Sequence, residues 1–296
     1  MSRTRRETDE MVVAICTNRL EDVRARWEEN LSQLGEAQLL IYFDAPSSPT
    51  ASAVFESIRS RGGVVIEGSR TRGLSAARNE VLDARPTSKV LFIDDDVLLQ
   101  ADAIDAIRVA FQRRSNVVGA RLSPPSVTRR WPWYFSTGQM HLVGWHTPAQ
   151  EISIWGGCMG IDAVFAHRHG IRFDAKLGRT GRRLESGDDT SFIAAMKRAG
   201  AVESRLSNVQ VIHDIDMARL NLRYLVRRAY WQGRSEIRRE NARLGLKKEW
   251  HRHRRSGLPL AILYTSVEVL GMLREVPTPS NLRRMRETKG KAVEYA

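Results

Sequence analysis

Lys89-Val90-Leu91-Phe92-Ile93-Asp94-Asp95-Asp96 is the stretch that decides the architecture. Four apolar residues in a row, three of them β-branched or aromatic, read as a strand covered on both faces. Such a strand belongs to a parallel sheet flanked by helices, and here it runs straight into three carboxylates. The same pattern repeats upstream. Met11-Val12-Val13-Ala14-Ile15-Cys16 ends in polar Thr17-Asn18-Arg19 and feeds a helix over Glu21 to Leu34. Gln38 to Phe43 is a second strand, stopped by Asp44-Ala45-Pro46. A helix over Ala51 to Arg61 ends at Gly62-Gly63, where a helix C-terminus favours glycine. Val64-Val65-Ile66 reads as a short third strand and Leu74 to Ala84 as the next helix. Strands separated by helical segments of this length predict βαβ units and a mainly parallel sheet. The stretch from Val117 to Trp155 is rich in Trp, Pro and Gly and reads as loops and short strands over the site.

In open α/β sheets, ligands bind outside the carboxyl ends of the strands. Thr17-Asn18-Arg19, Asp44 and Asp94-Asp95-Asp96 all fall at such ends. Three adjacent carboxylates repel one another unless a cation neutralises them, so a hard divalent metal is one reading and a solvated acidic turn the other. Gly187-Asp188-Asp189-Thr190 is a second acidic cluster, opening a helix that runs to Arg198. There Asp188 reads as an N-cap or as a reacting group, and a carboxylate is a suitable general base for a hydroxyl nucleophile. Arg72-Gly73-Leu74-Ser75-Ala76-Ala77-Arg78-Asn79 is a loop entering a helix whose N-terminus can face phosphate oxygens. The glycine spacings of dinucleotide-binding folds and P-loops are absent, as is a serine nucleophile elbow.

Taken in order, Gly73-Leu74-Ser75-Ala76-Ala77-Arg78-Asn79, Phe92-Ile93-Asp94-Asp95-Asp96 and Gly187-Asp188-Asp189-Thr190 resemble the inverting glycosyltransferases of family 2 over roughly Val12 to Ser235. The resemblance implies a GT-A fold with a mostly parallel central sheet, followed by a helical C-terminal extension. It implies a nucleotide-diphosphate sugar as donor and a hydroxyl group as acceptor. Thr17, Asp44 and Arg78, together with Asp94 and Asp95, match positions that hold the donor nucleotide. Asp94 and Asp96 match the two acids of the family's D-x-D motif, the second of which coordinates Mg2+ or Mn2+. His213 falls near a position that binds the metal in some members; a core histidine is the other reading. Asp189 matches the base that deprotonates the acceptor, although the usual Glu-Asp pair is here Asp188-Asp189, so both are candidates. Trp155-Gly156-Gly157 matches a segment lining the sugar and acceptor pocket. The first strand departs from the family by ending Cys16-Thr17-Asn18-Arg19, where many members carry a proline and an aromatic residue. The Q-x-x-R-W motif of processive synthases is missing, which favours addition of a single sugar. A nucleotidyltransferase of related α/β architecture is the alternative within enzymes.

Charge divides the chain. Of its 296 residues, 47 are Lys or Arg and 34 Asp or Glu, giving a formal +13. Residues 217–296 hold 19 of the basic and only 7 of the acidic residues, so residues 1–216 are nearly neutral. This sets the expected organisation: a disordered segment 1–10, a catalytic domain 11–216 and a basic helical region 217–296. Such a tail has three readings. It binds nucleic acid, helped by Tyr224, Tyr230, Trp231 and Trp250; but this leaves both acidic clusters unexplained. It makes a peripheral contact with an anionic membrane, which would favour a lipid-linked acceptor. Or its apolar face packs on the catalytic domain and its arginines are solvated. The longest apolar stretch, Gly257 to Leu273, contains Pro259 and Glu268 and is too short for a comfortable membrane span. With no signal-peptide core near the N-terminus, the expected location is the cytoplasm, peripheral to the inner face of the membrane in the docking case. Two distant cysteines, Cys16 and Cys158, exclude a disulfide scaffold and a Cys-rich zinc module.

Overall fold

Strand β1 (Met11–Thr17) lies at the centre of one half of the sheet, between β2 (Gln38–Phe43) and β4 (Lys89–Ile93), parallel to both. The apolar runs of β1 and β4 are buried on both faces, as their sequence predicts. In this computed structural model the described residues are 11–275, except 47, 69–70, 101, 126–130, 149–150, 180–183, 241–249, 251–252 and 255–256. The segment 1–10, expected to be disordered, and most of the basic cluster Lys247 to Arg255 therefore lie outside the described residues. Helices α1 (Leu20–Leu31), α2 (Pro49–Ser60) and α3 (Leu74–Ala84) connect β1 through β3 (Val64–Glu67) to β4. Gly73 precedes α3 with φ of 96°, a conformation that glycine adopts without the steric cost a Cβ would bring.

Beyond β4 the pattern changes. Among the described residues the sheet has eight strands in the order β3-β2-β1-β4-β7-β6-β8-β5, completed by β5 (Val97–Leu98), β6 (Val117–Ser123), β7 (Cys158–Asp162) and β8 (Glu203–His213). The late strand β7 is antiparallel to both β4 and β6, whereas β8 is parallel to β6. Sequence alone names neither β7 nor β8. Gly160 interrupts the apolar run of β7, and its missing side chain admits the Phe111 ring. β8 reads Glu-Ser-Arg-Leu-Ser-Asn before it turns apolar, too polar for a buried-strand pattern. Helices α4 (Ala103–Gln112), α5 (Ala163–Arg168) and α6 (Asp188–Arg198) cover the sheet. One buried cluster, on one face, joins Phe55 of α2 with Ile104 and Ile107 of α4; the other joins Val81 of α3 with Phe192 and Met196 of α6.

Two pairings position the acidic strand end. Asn30, buried in the last turn of α1, donates to the Val97 carbonyl and accepts from the Leu99 N–H, both at 2.8 Å. That fixes the turn Asp94-Asp95-Asp96 against the sheet. β5 then pairs antiparallel with the end of β8, setting Val97 opposite His213. A residue more than a hundred positions away is thereby brought beside the carboxylates.

The C-terminal helices α7 (Leu222–Glu240) and α8 (Leu258–Glu275) cross at two glycines. A Cβ on Gly233 would stand 1.9 Å from the Glu268 carbonyl oxygen, and one on Gly271 2.0 Å from that of Tyr230. A side chain at either position would push the helices apart, so the glycines set the closeness of this contact. Leu225 and Ala229 of α7 and Tyr264 of α8 join Phe135, Met140, Leu142 and Trp145 in a third cluster. One face of the apolar stretch is thus packed, while Leu258, Ile262, Leu270 and Leu273 are half or more exposed. No described helix is long and apolar enough to cross a membrane.

Candidate active site

A cleft of about 900 Å³ opens at the carboxyl ends of β1, β2 and β4. Thr17, Asp44, Arg78, the three acids at 94–96, Trp155-Gly156-Gly157, Asp188, Asp189 and His213 all line it. The residues that the resemblance matches to donor, metal, base and acceptor pocket all line this one cleft, with different surroundings for each.

Asp44 accepts the backbone N–H groups of Arg72 and Gly73, the shorter at 2.7 Å, and so ties the end of β2 to the loop entering α3. Thr17 donates to Asp95 at 2.5 Å, and Arg19 pairs with the other Asp95 oxygen at 2.6 Å. Burial, only partly offset by Arg19, holds the Asp95 carboxyl above its usual range. Asp95 is thus occupied in holding β1 to β4, while its neighbours on either side turn to the cleft. Cys16 also lines the cleft, but burial pushes its thiol up to about 12, so it offers no thiolate.

Asp96 Oδ1 lies 3.0 Å from His213 Nε2 and Oδ2 accepts from Arg219 at 2.9 Å. Burial opposes ionisation of Asp96, yet the His213 hydrogen bond and the fields of His213, Arg219 and Arg179 prevail and hold its carboxyl below the usual range. His213 Nδ1 lies 3.1 Å from the Gly144 carbonyl, a partner that can only accept. Gly144 has φ of 82°, and a Cβ there would meet the His213 ring at 2.8 Å. A carbonyl fixing Nδ1–H leaves Nε2 as the nitrogen offered to a metal, the usual arrangement for a ligating histidine. Ligand atoms of Asp94, Asp96 and His213 all lie within 4.8 Å of one another. Two carboxylates and one imidazole converging in this way fit a divalent cation of the Mg2+ or Mn2+ type.

Arg78 is buried and central. It pairs with Asp188 at 2.7 Å, donates to the Gly156 carbonyl at 3.2 Å and stands 3.5 Å from Asp94. Gly156 is glycine for this reason: a Cβ there would fall 2.3 Å from the Arg78 guanidinium. Burial and the neighbouring Asp189 carboxylate push Asp188 up, while Arg78 pulls it back. Removing Arg78 strands a buried carboxylate, so Arg78→Met should lose about 3 kcal/mol of unfolding free energy, with Asp188→Asn in the same chain recovering more than half. Urea denaturation of the two single variants and the double variant measures this, and strict additivity would show that the pair does not interact.

Asp189 differs from its neighbour. It is half-buried, and its Oδ2 accepts the Gly156 N–H at 2.8 Å while Oδ1 accepts the Thr190 N–H at 2.6 Å. Trp155 stacks on His146, with ring centroids 4.0 Å apart and planes within 9°. His146 accepts from the Leu122 N–H and faces the Ser153 carbonyl, so burial holds it neutral with its pKa lowered to about 4. No motif announces His146, Arg219, Arg179 or Arg228, all of which line the cleft. Arg219 becomes legible only when the Asp216-capped turn Met217–Leu220 places it on Asp96.

Comparison with known proteins agrees with this geometry. The family model "Glycosyl transferase family 2" matches residues 11–168. No curated protein matches the chain in sequence. Among solved structures, the mannosyltransferase PcManGT of Pyrobaculum calidifontis, in complex with GDP-Man and Mn2+, superposes with a TM-score of 0.57 at 15% identity, over 96% of this chain and 80% of that one. Residues 1–349 of S. aureus TarS give 0.51 at 14% identity, over 88% and 90% of the two chains. Strand order, acidic strand end and family match converge: the chain belongs to the family 2 glycosyltransferases.

Proposed function

We propose that the protein moves a single sugar from a nucleotide-diphosphate donor to an acceptor hydroxyl, inverting the anomeric centre with the help of Mg2+ or Mn2+. Its support is the placement of two kinds of carboxylate on either side of Gly156-Gly157. The Gly156 N–H holds Asp189, while a Cβ on Gly157 would lie 3.4 Å from Asp94. A base and a metal-binding acid thus flank one backbone segment that lines the cleft, so a sugar in the cleft would lie within reach of both.

Breaking an anomeric C–O bond builds positive charge on the sugar and negative charge on the departing diphosphate. Asp94, Asp96 and His213 would hold the cation, which supplies charge neutralisation for that leaving group. Arg179 and Arg228 offer guanidinium donors in the same cleft, suited to phosphate oxygens. Asp189, oriented by its two backbone donors, takes the acceptor proton as the oxygen attacks from the opposite face. Asp188 is given to Arg78 and serves as a positioning group. Thr17 and Asp44 shape the nucleotide end by bracing the strand termini.

A nucleotide-sugar panel tests the reading. One donor should show Mn2+-dependent release of nucleoside diphosphate, faster with a cognate acceptor. Pyrophosphate release from a nucleoside triphosphate and a sugar phosphate would assign the protein to nucleotidyl transfer instead.

We also place the acceptor at an anionic membrane surface. Exposed Leu258, Ile262, Leu270 and Leu273 give α8 an apolar strip, and α7 carries exposed Arg223 and Arg227. The full chain should cosediment with vesicles containing anionic lipid and much less with zwitterionic ones; equal partition to the supernatant in both would remove the docking role.

A further inference from the structure

Glu268, in the middle of the apolar helix α8, is wholly buried, a costly place for a carboxylate unless cations face it. Its Oε1 stands 3.3 Å from His253 Nε2 and 3.8 Å from His141 Nε2. The three residues come from different places: the 3₁₀ turn Met140–Val143 beside the cleft, a helical residue shortly before α8, and α8 itself. His253 is also wholly buried, and neither of its ring nitrogens makes a hydrogen bond to a described residue. Ligand atoms of all three lie within 4.8 Å of one another.

The geometry points to a second metal site, formed by His141, His253 and Glu268 and suited to Zn2+. Zinc bonds of about 2.0–2.1 Å in a tetrahedron put neighbouring ligand atoms about 3.3 Å apart. The separations of 3.3 and 3.8 Å are close to such edges. Two imidazoles and one carboxylate form a borderline donor set, preferring Zn2+ over the Mg2+ or Mn2+ that the oxygen-rich cleft favours. Three protein ligands leave the fourth position to water. Packing fixes the set, for Gly233 lies against the Glu268 carbonyl and the Tyr264 ring stacks on His253. Arg228 adds its own positive field at Glu268. The ion would fasten the C-terminal helices to the turn that ends at Gly144, whose carbonyl holds His213. It goes beyond the transfer reaction, since it requires no donor and no turnover.

The test uses the full, tag-free chain stripped with chelator and titrated with Zn2+, with bound metal counted by elemental analysis and Co2+ as a spectroscopic probe. Wild type should bind one more equivalent of Zn2+ than His141→Gln or His253→Gln, and affinity for that equivalent should fall roughly 100-fold in each. Asp96→Asn, altered at the other centre, should keep it. Co2+ in that equivalent should show intense tetrahedral visible absorption. Should His253→Gln fail to fold, His141→Gln on the half-buried edge decides alone. Equal stoichiometry in wild type and His141→Gln, or no Zn2+ retained by Asp96→Asn, would show an ordinary buried His–Glu pair and overturn the proposal. Loss of sugar transfer, in contrast, would leave these binding results untouched.

Discussion

Asp189→Asn should lower kcat by about 10²–10⁴, the range a positioned general base supplies, while donor affinity changes by less than about threefold. Asparagine is nearly the same size and keeps one carbonyl oxygen. Asp189 accepts two backbone N–H groups, from Gly156 and Thr190, and an amide can satisfy only one of them. The other donor must turn to water, costing about 1–2 kcal/mol of stability at this half-buried site. A melting curve therefore accompanies the kinetics, and the fall in kcat should far exceed what the small loss of folded protein explains. Asp188→Asn makes the control. It removes the partner of Arg78 at 2.7 Å and should act through stability and geometry rather than proton transfer. If Asp188→Asn abolished turnover at unchanged stability while Asp189→Asn remained active, the roles of the two acids would be exchanged.

How the sequence announces such residues depends on how locally their geometry is made. Asp94-Asp95-Asp96 is legible because its position follows from five consecutive strand residues, whose burial on both faces forces what comes next to the sheet edge. Asp189 is legible because it opens a helix. The different duties of adjacent acids are not legible. Asp95 faces Thr17 and Arg19 across the strands, whereas Asp96 faces His213 and Arg219. Only the pairing of β1 with β4 and of β5 with β8 decides this. Gly156 carries the same lesson: as a motif it suggests room for a ligand, while in the fold it also makes room for Arg78. Gly233 and Gly271 look like weak points in helical segments, and their use appears only where the two helices cross. The antiparallel β7 stays hidden because Gly160 breaks the apolar period that would have marked it.

Asp96→Asn should abolish transfer, by at least about 10³-fold, without rescue by excess Mn2+. The substitution removes a charge from a carboxylate that burial alone would neutralise but that His213, Arg219 and Arg179 keep ionised. What is lost is both the anionic ligand and the anchor for those cations. His213 would then keep the Gly144 carbonyl as its ring hydrogen-bond partner among the described residues, and Arg219 would lose its 2.9 Å contact. A fall in stability is therefore expected in the metal-free protein as well. His213→Gln separates the two effects. It leaves both carboxylates in place and removes one ligand, so the Mn2+ requirement should rise about 10–100-fold while kcat at saturating metal stays within tenfold. Titrating activity against Mn2+ in both variants, beside Mn2+ binding measured by electron paramagnetic resonance, distinguishes a missing ligand from a damaged fold. Full activity of Asp96→Asn in chelator-treated buffer would mean that neither the Asp96 charge nor a cation has a part in the reaction.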